Sequence, residues 1–333
     1  MAALRGLAGA GLRRVLPLRL QALEAPPTGR GEGVGVSIVV GFGSDTRNAA
    51  PLELAAELSR TTGDELVLVS VMQDSWGSLR DFAGVEDEWR ADLREQAEEA
   101  IATAREHLGP DVQPTAVTRT ATSVPQALLD ECIARRARML VAGSASHGAL
   151  GRIAFGSTND RLAHSSVVPI ALAPRGYRSH DDGIQRLVVA VDPTASDVAL
   201  HQPIADLASW LKVPVEIVTF AVRSGSRTAY SAFADQGVQQ AWSTLVRNHQ
   251  QELADKIREL APDTEVTTDQ VTTAERWSLA LESYQWRAGD LLAVGSSRHG
   301  PVARVFVGST ATRIVNHSPV PVVLLPRPRP RTH

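Results

Sequence analysis

The stretch Leu140–Pro174, LVAGSASHGALGRIAFGSTNDRLAHSSVVPIALAP, decides the reading of this chain, because it returns as Leu292–Pro326, LAVGSSRHGPVARVFVGSTATRIVNHSPVPVVLLP. Laid over each other without a gap, the copies share Gly143/Gly295, Ser144/Ser296, His147/His299, Gly148/Gly300, Arg152/Arg304, Gly156/Gly308, Ser157/Ser309, Thr158/Thr310, Arg161/Arg313 and Pro169/Pro321. So long a register at constant spacing means that one module is present twice.

Each copy opens on a short apolar run that ends at a glycine (Met139–Gly143; Leu291–Gly295), the pattern of a strand buried on both faces of a parallel sheet. A loop follows, then a second glycine with Ser-Thr behind it, then a short helical pattern for which Ser or Thr is a good N-cap. A helix N-terminus therefore faces a strand end. Its unpaired N–H groups and the positive end of the helix dipole favour an anion, and the glycines admit a ligand where a Cβ would clash. The alternative is a loop that turns the chain and binds nothing; its recurrence in both copies favours a ligand site.

Working outward, the first module reads as strand Val36–Gly41, helix Asn48–Thr61 closed by Gly63, strand Leu66–Val71, a loop containing Trp76, helix Glu86–Leu108, strand Thr115–Thr120, helix Pro125–Ala137, the quoted strand, loop and helix, and strand Val167–Ala173. Residues 175–183 form a short polar linker. The second module repeats the order with Leu187–Val191, helix Ala195–Leu211, Val215–Phe220, helix Gln239–Leu260, Glu265–Val271 and helix Glu275–Arg287, then its own copy of the stretch. A longer loop, Val222–Gly237, carries Tyr230; it either folds over a ligand or is surface variation. Strands alternating with helices define an α/β fold, each module an open five-stranded parallel sheet with helices on both faces and right-handed crossovers. Ligands of such sheets sit beyond the carboxyl ends of the strands where the order reverses, here between the first and fourth. The domain limits are 34–175 and 185–326, with 176–184 between them. An unpaired apolar last strand would invite aggregation, so Val167–Ala173 and Val320–Leu325 are expected to pair within the chain.

With 333 residues, 43% hydrophobic and 21% charged, the chain is long enough for two cores, and a net charge of −3 gives no reason to expect nucleic acid or an anionic membrane as partner. Its one cysteine, Cys132, excludes an internal disulfide, suits a reducing cytosol, and falls in a helical pattern where a small core residue fits better than a reactive thiol. No CxxC, HExxH or GK[ST] occurs, so metal-protease and P-loop chemistry are not signalled. Residues 1–33 read as a disordered extension or the product of an upstream start codon, with an organellar transit peptide as the alternative, and 327–333 as a disordered Pro/Arg tail.

Both copies resemble the universal stress protein family, whose nucleotide-binding members carry Gly, two residues, Gly, nine residues, then Gly-Ser/Thr. Gly143 to Gly156 and Gly295 to Gly308 have that length, while the second glycine of the pattern is Ser146 in one copy and Arg298 in the other. The resemblance implies two tandem Rossmann-like domains of the adenine nucleotide alpha hydrolase kind, a stress-response protein, and ATP as ligand, with Mg²⁺ only as the nucleotide's companion. It implies phosphate contacts at Gly143, Ser144, Ser146, Gly156, Ser157 and Thr158, and at Gly295, Ser296, Arg298, Gly308, Ser309 and Thr310. An acid closing the first strand contacts adenosine in relatives. Asp192 holds that place in the second module and equally suits a helix cap, whereas VVGFGSD of the first module sets Phe42 there and leaves Asp45 as a cap. His147 and His299 read as loop residues that touch phosphate or backbone, since no nucleophile accompanies them. Arg152/Arg304 and Arg161/Arg313 either reach phosphate or lie on exposed helix faces. The balance favours a binding protein over a weak hydrolase, with unequal sites: the first module better for phosphate, the second for adenosine. A pseudo-dimer without ligand and a homodimer stand as alternatives.

Overall fold

Runs of β-branched and apolar residues bounded by Gly, Pro or polar turns set the strands. In the computed structural model, which describes residues 37–43, 48–73, 85–108, 111–193, 198–222, 236–295 and 309–326, they alternate with amphipathic helices throughout. The first module runs β1 Ser37–Gly41, α1 Ala50–Thr62, β2 Glu65–Gln73, α2 Val85–Leu108, β3 Thr115–Ala121, α3 Val124–Ala134, β4 Met139–Gly143, α4 Ser157–Ser165 and β5 Ile170–Ala173. The second runs β6 Arg186–Ala190, a 3₁₀ turn Val198–Leu200, α5 His201–Leu211, β7 Val215–Val222, α6 Gln236–Leu260, β8 Val266–Ala274, α7 Trp277–Glu282, β9 Asp290–Gly295, α8 Ser309–His317 and β10 Val322–Leu325.

All ten strands join one sheet in the order β3-β2-β1-β4-β5-β10-β9-β6-β7-β8. Pairing within each half is parallel, and β10 meets β5 antiparallel, Val322 opposite Leu172 and Leu324 opposite Ile170. In each half the order reverses between the first and fourth strands, which places the crevice at the ends of β1 and β4 and of β6 and β9. Alternate residues of each strand feed opposite faces: Ile38 and Val40 pack with α1, α2, α5 and α6, while Val39 packs with α3, α4, α7 and α8. Each face carries one apolar cluster that runs through both modules, so the helices of the two halves share cores instead of filling separate ones.

Two local features depart from the pattern read off the sequence. The helix after β6 begins at His201 behind the Val198–Leu200 turn, six residues later than the sequence suggests, with 194–197 outside the described residues. α7 stops at Glu282 instead of running to Arg287, because Ser283 Oγ and Trp286 Nε1 donate to its last carbonyls, Ala280 O at 3.1 Å and Leu281 O at 2.7 Å. Tyr284 and Trp286 then pack with Phe220, ring centroids 4.6 to 6.2 Å apart. Chain continuing as helix would carry these rings away from that contact.

The linker is strapped to α1. Glu57, fully buried, accepts from Tyr177 Oη and from His180 N at 3.3 Å, while Glu53 accepts from Arg178 Nη1 at 3.0 Å and Ser179 Oγ at 2.7 Å. Burial pushes the Glu57 carboxyl above its ordinary range despite the donors that face it. Side chains also tie the modules directly: Trp210 Nε1 donates to Asp64 Oδ2 at 2.9 Å, and Arg152 Nη2 meets Glu282 Oε1 at 2.9 Å. At the foot of β6, Arg186 is 5% exposed and makes a forked pair with Asp290, Nε to Oδ1 at 2.8 Å and Nη2 to Oδ2 at 2.6 Å, with Glu216 as a further partner. Among the described residues no helix is long and apolar enough to cross a membrane.

Candidate functional site at the strand ends

The first module's site grows from the end of β4. A Cβ on Gly143 would lie 2.9 Å from Asn48 Nδ2 and 3.2 Å from Pro51 Cδ, so a glycine is needed there to seat the start of α1 across the strand end. Ser144, 4% exposed, turns inward: its Oγ accepts from Ala154 N at 2.9 Å and faces Ala145 O at 3.4 Å. Ala145 N to Ala154 O at 3.0 Å and Gly148 N to Ala145 O at 3.0 Å close the loop on itself. The Ser144 hydroxyl thus organises the loop, while Ser146 and His147 are exposed at its rim.

The loop ends at Gly156, the N-cap of α4, in extended conformation and with no side-chain cap. A helix begins with N–H groups that have no partner within it, so those of Ser157, Thr158 and Asn159 emerge at this end with the dipole behind them. A Cβ on Gly156 would approach Ala145 Cβ at 3.1 Å, which sets the helix end against the loop. Two asparagines that the motif does not contain hold the crevice together: Asn159, 6% exposed, donates to Gly143 O at 2.8 Å, and Asn48 donates to Ser144 O at 3.3 Å. Their signal in the sequence is slight, since Asn159 aligns with Ala311 in the second copy. Arg175 was also unforeseen; its Nη1 donates to Gly148 O at 2.7 Å, and its backbone exchanges bonds with Gly151 and Arg152.

Arg152 turns to Glu282 of the other module, and Arg161 is exposed on α4. Cys132 is 1% exposed, and burial, aided by the neighbouring Glu131 charge, pushes its thiol up to about 12, a core residue in an unreactive state.

In the second module Asp192, half-buried, follows β6, and Gly295 closes the adjacent β9. A Cβ on Gly295 would fall 2.0 Å from Leu200 Cδ1, so here the buried leucine of the 3₁₀ turn occupies the strand end that Asn48 and Pro51 cover in the first module. Ser309 and Thr310 open α8; Ser296, Arg298, His299, Arg304 and Gly308 lie outside the described residues. So do Asp45, Trp76, Tyr230, the segment before Ser37 and the tail after Pro326.

Strand pairing corrects one alignment. Phe42 N donates to Val69 O at 3.0 Å and Val191 N to Val218 O at 2.9 Å, equivalent bonds in equivalent registers, so Phe42 matches Val191 and not Asp192. Both are buried, at 6% and 8% exposure, and serve the core. The counterpart of Asp192 is Gly43, which is exposed and would have nothing within 4 Å of an added Cβ. The first module thus lacks the acid because a glycine stands there.

Two parallel α/β half-sheets, each reversing order between its first and fourth strands, define a tandem protein of the Rossmann-like class. The Universal stress protein family profile matches residues 37–174 and 183–326, nearly all of the described chain, and the chain belongs to that family. A universal stress protein of Mycobacterium tuberculosis strain H37Rv is 35% identical over 303 residues, covering 87% of this chain and 100% of that protein. Another from Mycolicibacterium smegmatis is 24% identical over 304 residues, 88% of this chain and 97% of its own. Among solved structures, a universal stress protein from Archaeoglobus fulgidus superposes with TM-score 0.56 at 18% identity, over 87% of this chain and 96% of that one, a likeness of fold.

Proposed function

We propose that this chain is a cytosolic stress-response protein that binds adenine nucleotide, ATP in the first instance, and acts through conformation or partners instead of turnover. The observation that carries the reading is the start of α4: a helix end without a side-chain cap, set beside the end of β4 at the switch point, with Gly156 leaving its N–H groups open to an anion. In this reading phosphate lies against the N–H groups of Ser157 and Thr158 with Gly143 and Ser146 nearby, and Ser144 positions the loop without touching the ligand. The second module contributes Asp192 toward adenosine and Gly295, Ser296, Arg298, Gly308, Ser309 and Thr310 toward phosphate. In this reading Mg²⁺ comes only with the nucleotide, held by the nucleotide's own oxygens. Calorimetric titration of ATP into wild type, Gly156→Glu and Gly308→Glu tests this. Weak heat from wild type, reduced by each variant, is the expected result; no heat from wild type at millimolar ATP would end the nucleotide reading. ATP hydrolysis abolished by Gly156→Ala would instead favour an enzyme.

A second reading, a two-module scaffold without ligand, is favoured by the way Ser144, Asn48, Asn159 and Arg175 close the first loop with internal hydrogen bonds. Under both readings the β5–β10 contact supports a pseudo-dimer within one chain. Sedimentation should then give the mass of a single chain at micromolar concentration, whereas a stable homodimer would contradict it.

A further inference from the structure

Beside the linker, where the end of β5 passes the beginnings of β9 and β10, lies a cavity of about 360 Å³ that belongs to neither strand-end crevice. One wall comes from the first module and the linker, the other from the second module. Leu150, Pro174 and Tyr177 face Pro319, Val320 and Pro321 and give it an apolar lining. Leu150 is 78% exposed, the most exposed large apolar side chain among the described residues, and nothing in its own module covers it.

The charge here is uneven. Three arginines line the cavity: Arg175, Arg178 and Arg287. Arg178 is paired with Glu53. Arg175 spends one donor on the neutral Gly148 carbonyl, and among the described residues neither its guanidinium nor that of Arg287 is paired with a carboxylate. A guanidinium has five donors, so most of theirs remain available. The one acid in the lining, Asp290, is 1% exposed and already neutralised, accepting from Arg186 on both oxygens and from Arg287 N at 2.7 Å. The shape is also held in place. Gly289, at φ +76°, brings its backbone so near Gly183 O that a Cβ would lie 2.6 Å away, and Arg175 is anchored through both its backbone and its side chain.

We propose that this inter-module cavity is a binding site for a small organic phosphate with an apolar body, whose charge is held by Arg175 from one side and Arg287 from the other. The volume falls within the range of small-molecule sites, and an apolar lining with a few convergent polar groups is their usual chemistry. Two guanidiniums from separate modules match the planar, bidentate recognition of phosphate. The assignment does not depend on nucleotide binding at the strand ends.

Phenyl phosphate titrated by calorimetry into the full chain tests it, with inorganic phosphate as the headgroup alone. Wild type should bind phenyl phosphate more tightly than inorganic phosphate. Arg287→Glu, at an exposed side chain, and Leu150→Glu on the opposite wall should each weaken phenyl phosphate at least about ten-fold, the scale of a lost charge-assisted hydrogen bond. Circular dichroism and an unchanged urea midpoint confirm that both variants fold; should Arg287→Glu fail this check, Arg287→Gln takes its place. The part of the heat that Arg287→Glu removes should persist in Gly156→Glu, whose change falls at the strand-end crevice. No binding by wild type at millimolar ligand would overturn the proposal. So would equal affinity for inorganic phosphate, binding indifferent to Arg287→Glu, or binding lost in Gly156→Glu, which would place the ligand at the strand end.

Discussion

Replacing Arg186 by Met tests the electrostatic core of the second module. The side chain is 5% exposed, and it faces Asp290 at 1% exposure and Glu216. Burial alone opposes the charged guanidinium, yet the Asp290 carboxylate and its hydrogen bonds hold the arginine protonated well above its ordinary range. Taking the cation away leaves Asp290 buried with only the Arg287 N–H facing it. Breaking a buried pair on one side costs about 3–5 kcal/mol, because an uncompensated charge remains in low dielectric. A well-packed apolar replacement of the whole pair is close to neutral. Arg186→Met should therefore lower the second module's stability by about 3–5 kcal/mol, and Arg186→Met/Asp290→Leu should recover most of it. Because two modules need not melt together, the readout is hydrogen exchange at β6 and β9 alongside urea unfolding followed by tryptophan fluorescence. A loss below about 1 kcal/mol, the scale of a surface pair, or a double variant no better than the single one, would refute the reasoning.

Gly295→Ala drives a methyl into Leu200 Cδ1, and should cost about 1–3 kcal/mol by overpacking; Gly43→Ala, with open space around it, should leave the urea midpoint unchanged. Cys132 should resist a thiol reagent at pH 8 in the native protein and react fully in denaturant, since burial holds its thiol near pKa about 12; rapid native labelling would refute the placement. Glu57 has a folded-state pKa raised above its ordinary 4.5 by burial, so its contribution to stability is fully present at acid pH and is lost as pH rises through the folded value. Glu57→Gln should flatten the fall in stability above pH 4.5, and an unchanged slope would show that the linker strap does not bury this carboxylate.

The sequence by itself determined the duplication, the α/β class and the alternation of strands with helices along the chain, because buried parallel strands are written as contiguous apolar runs. It also marked where the chain must turn at Gly143 and Gly295. What it could not state is why those residues are glycines: the atoms they avoid, from Asn48, Pro51 and Leu200, come from segments distant in the chain. The match of Phe42 to Asp192 failed by one residue for the same reason, since β1 and β6 end in different residues and only hydrogen bonds to β2 and β7 fix the register. The inner role of Ser144, the crossing of Arg152 to Glu282 and the placing of Arg175 and Arg287 on one cavity were likewise decided by tertiary structure. The last two join groups far apart in sequence, and a side chain's partner is set by which surfaces the fold brings together, a fact that local pattern does not carry.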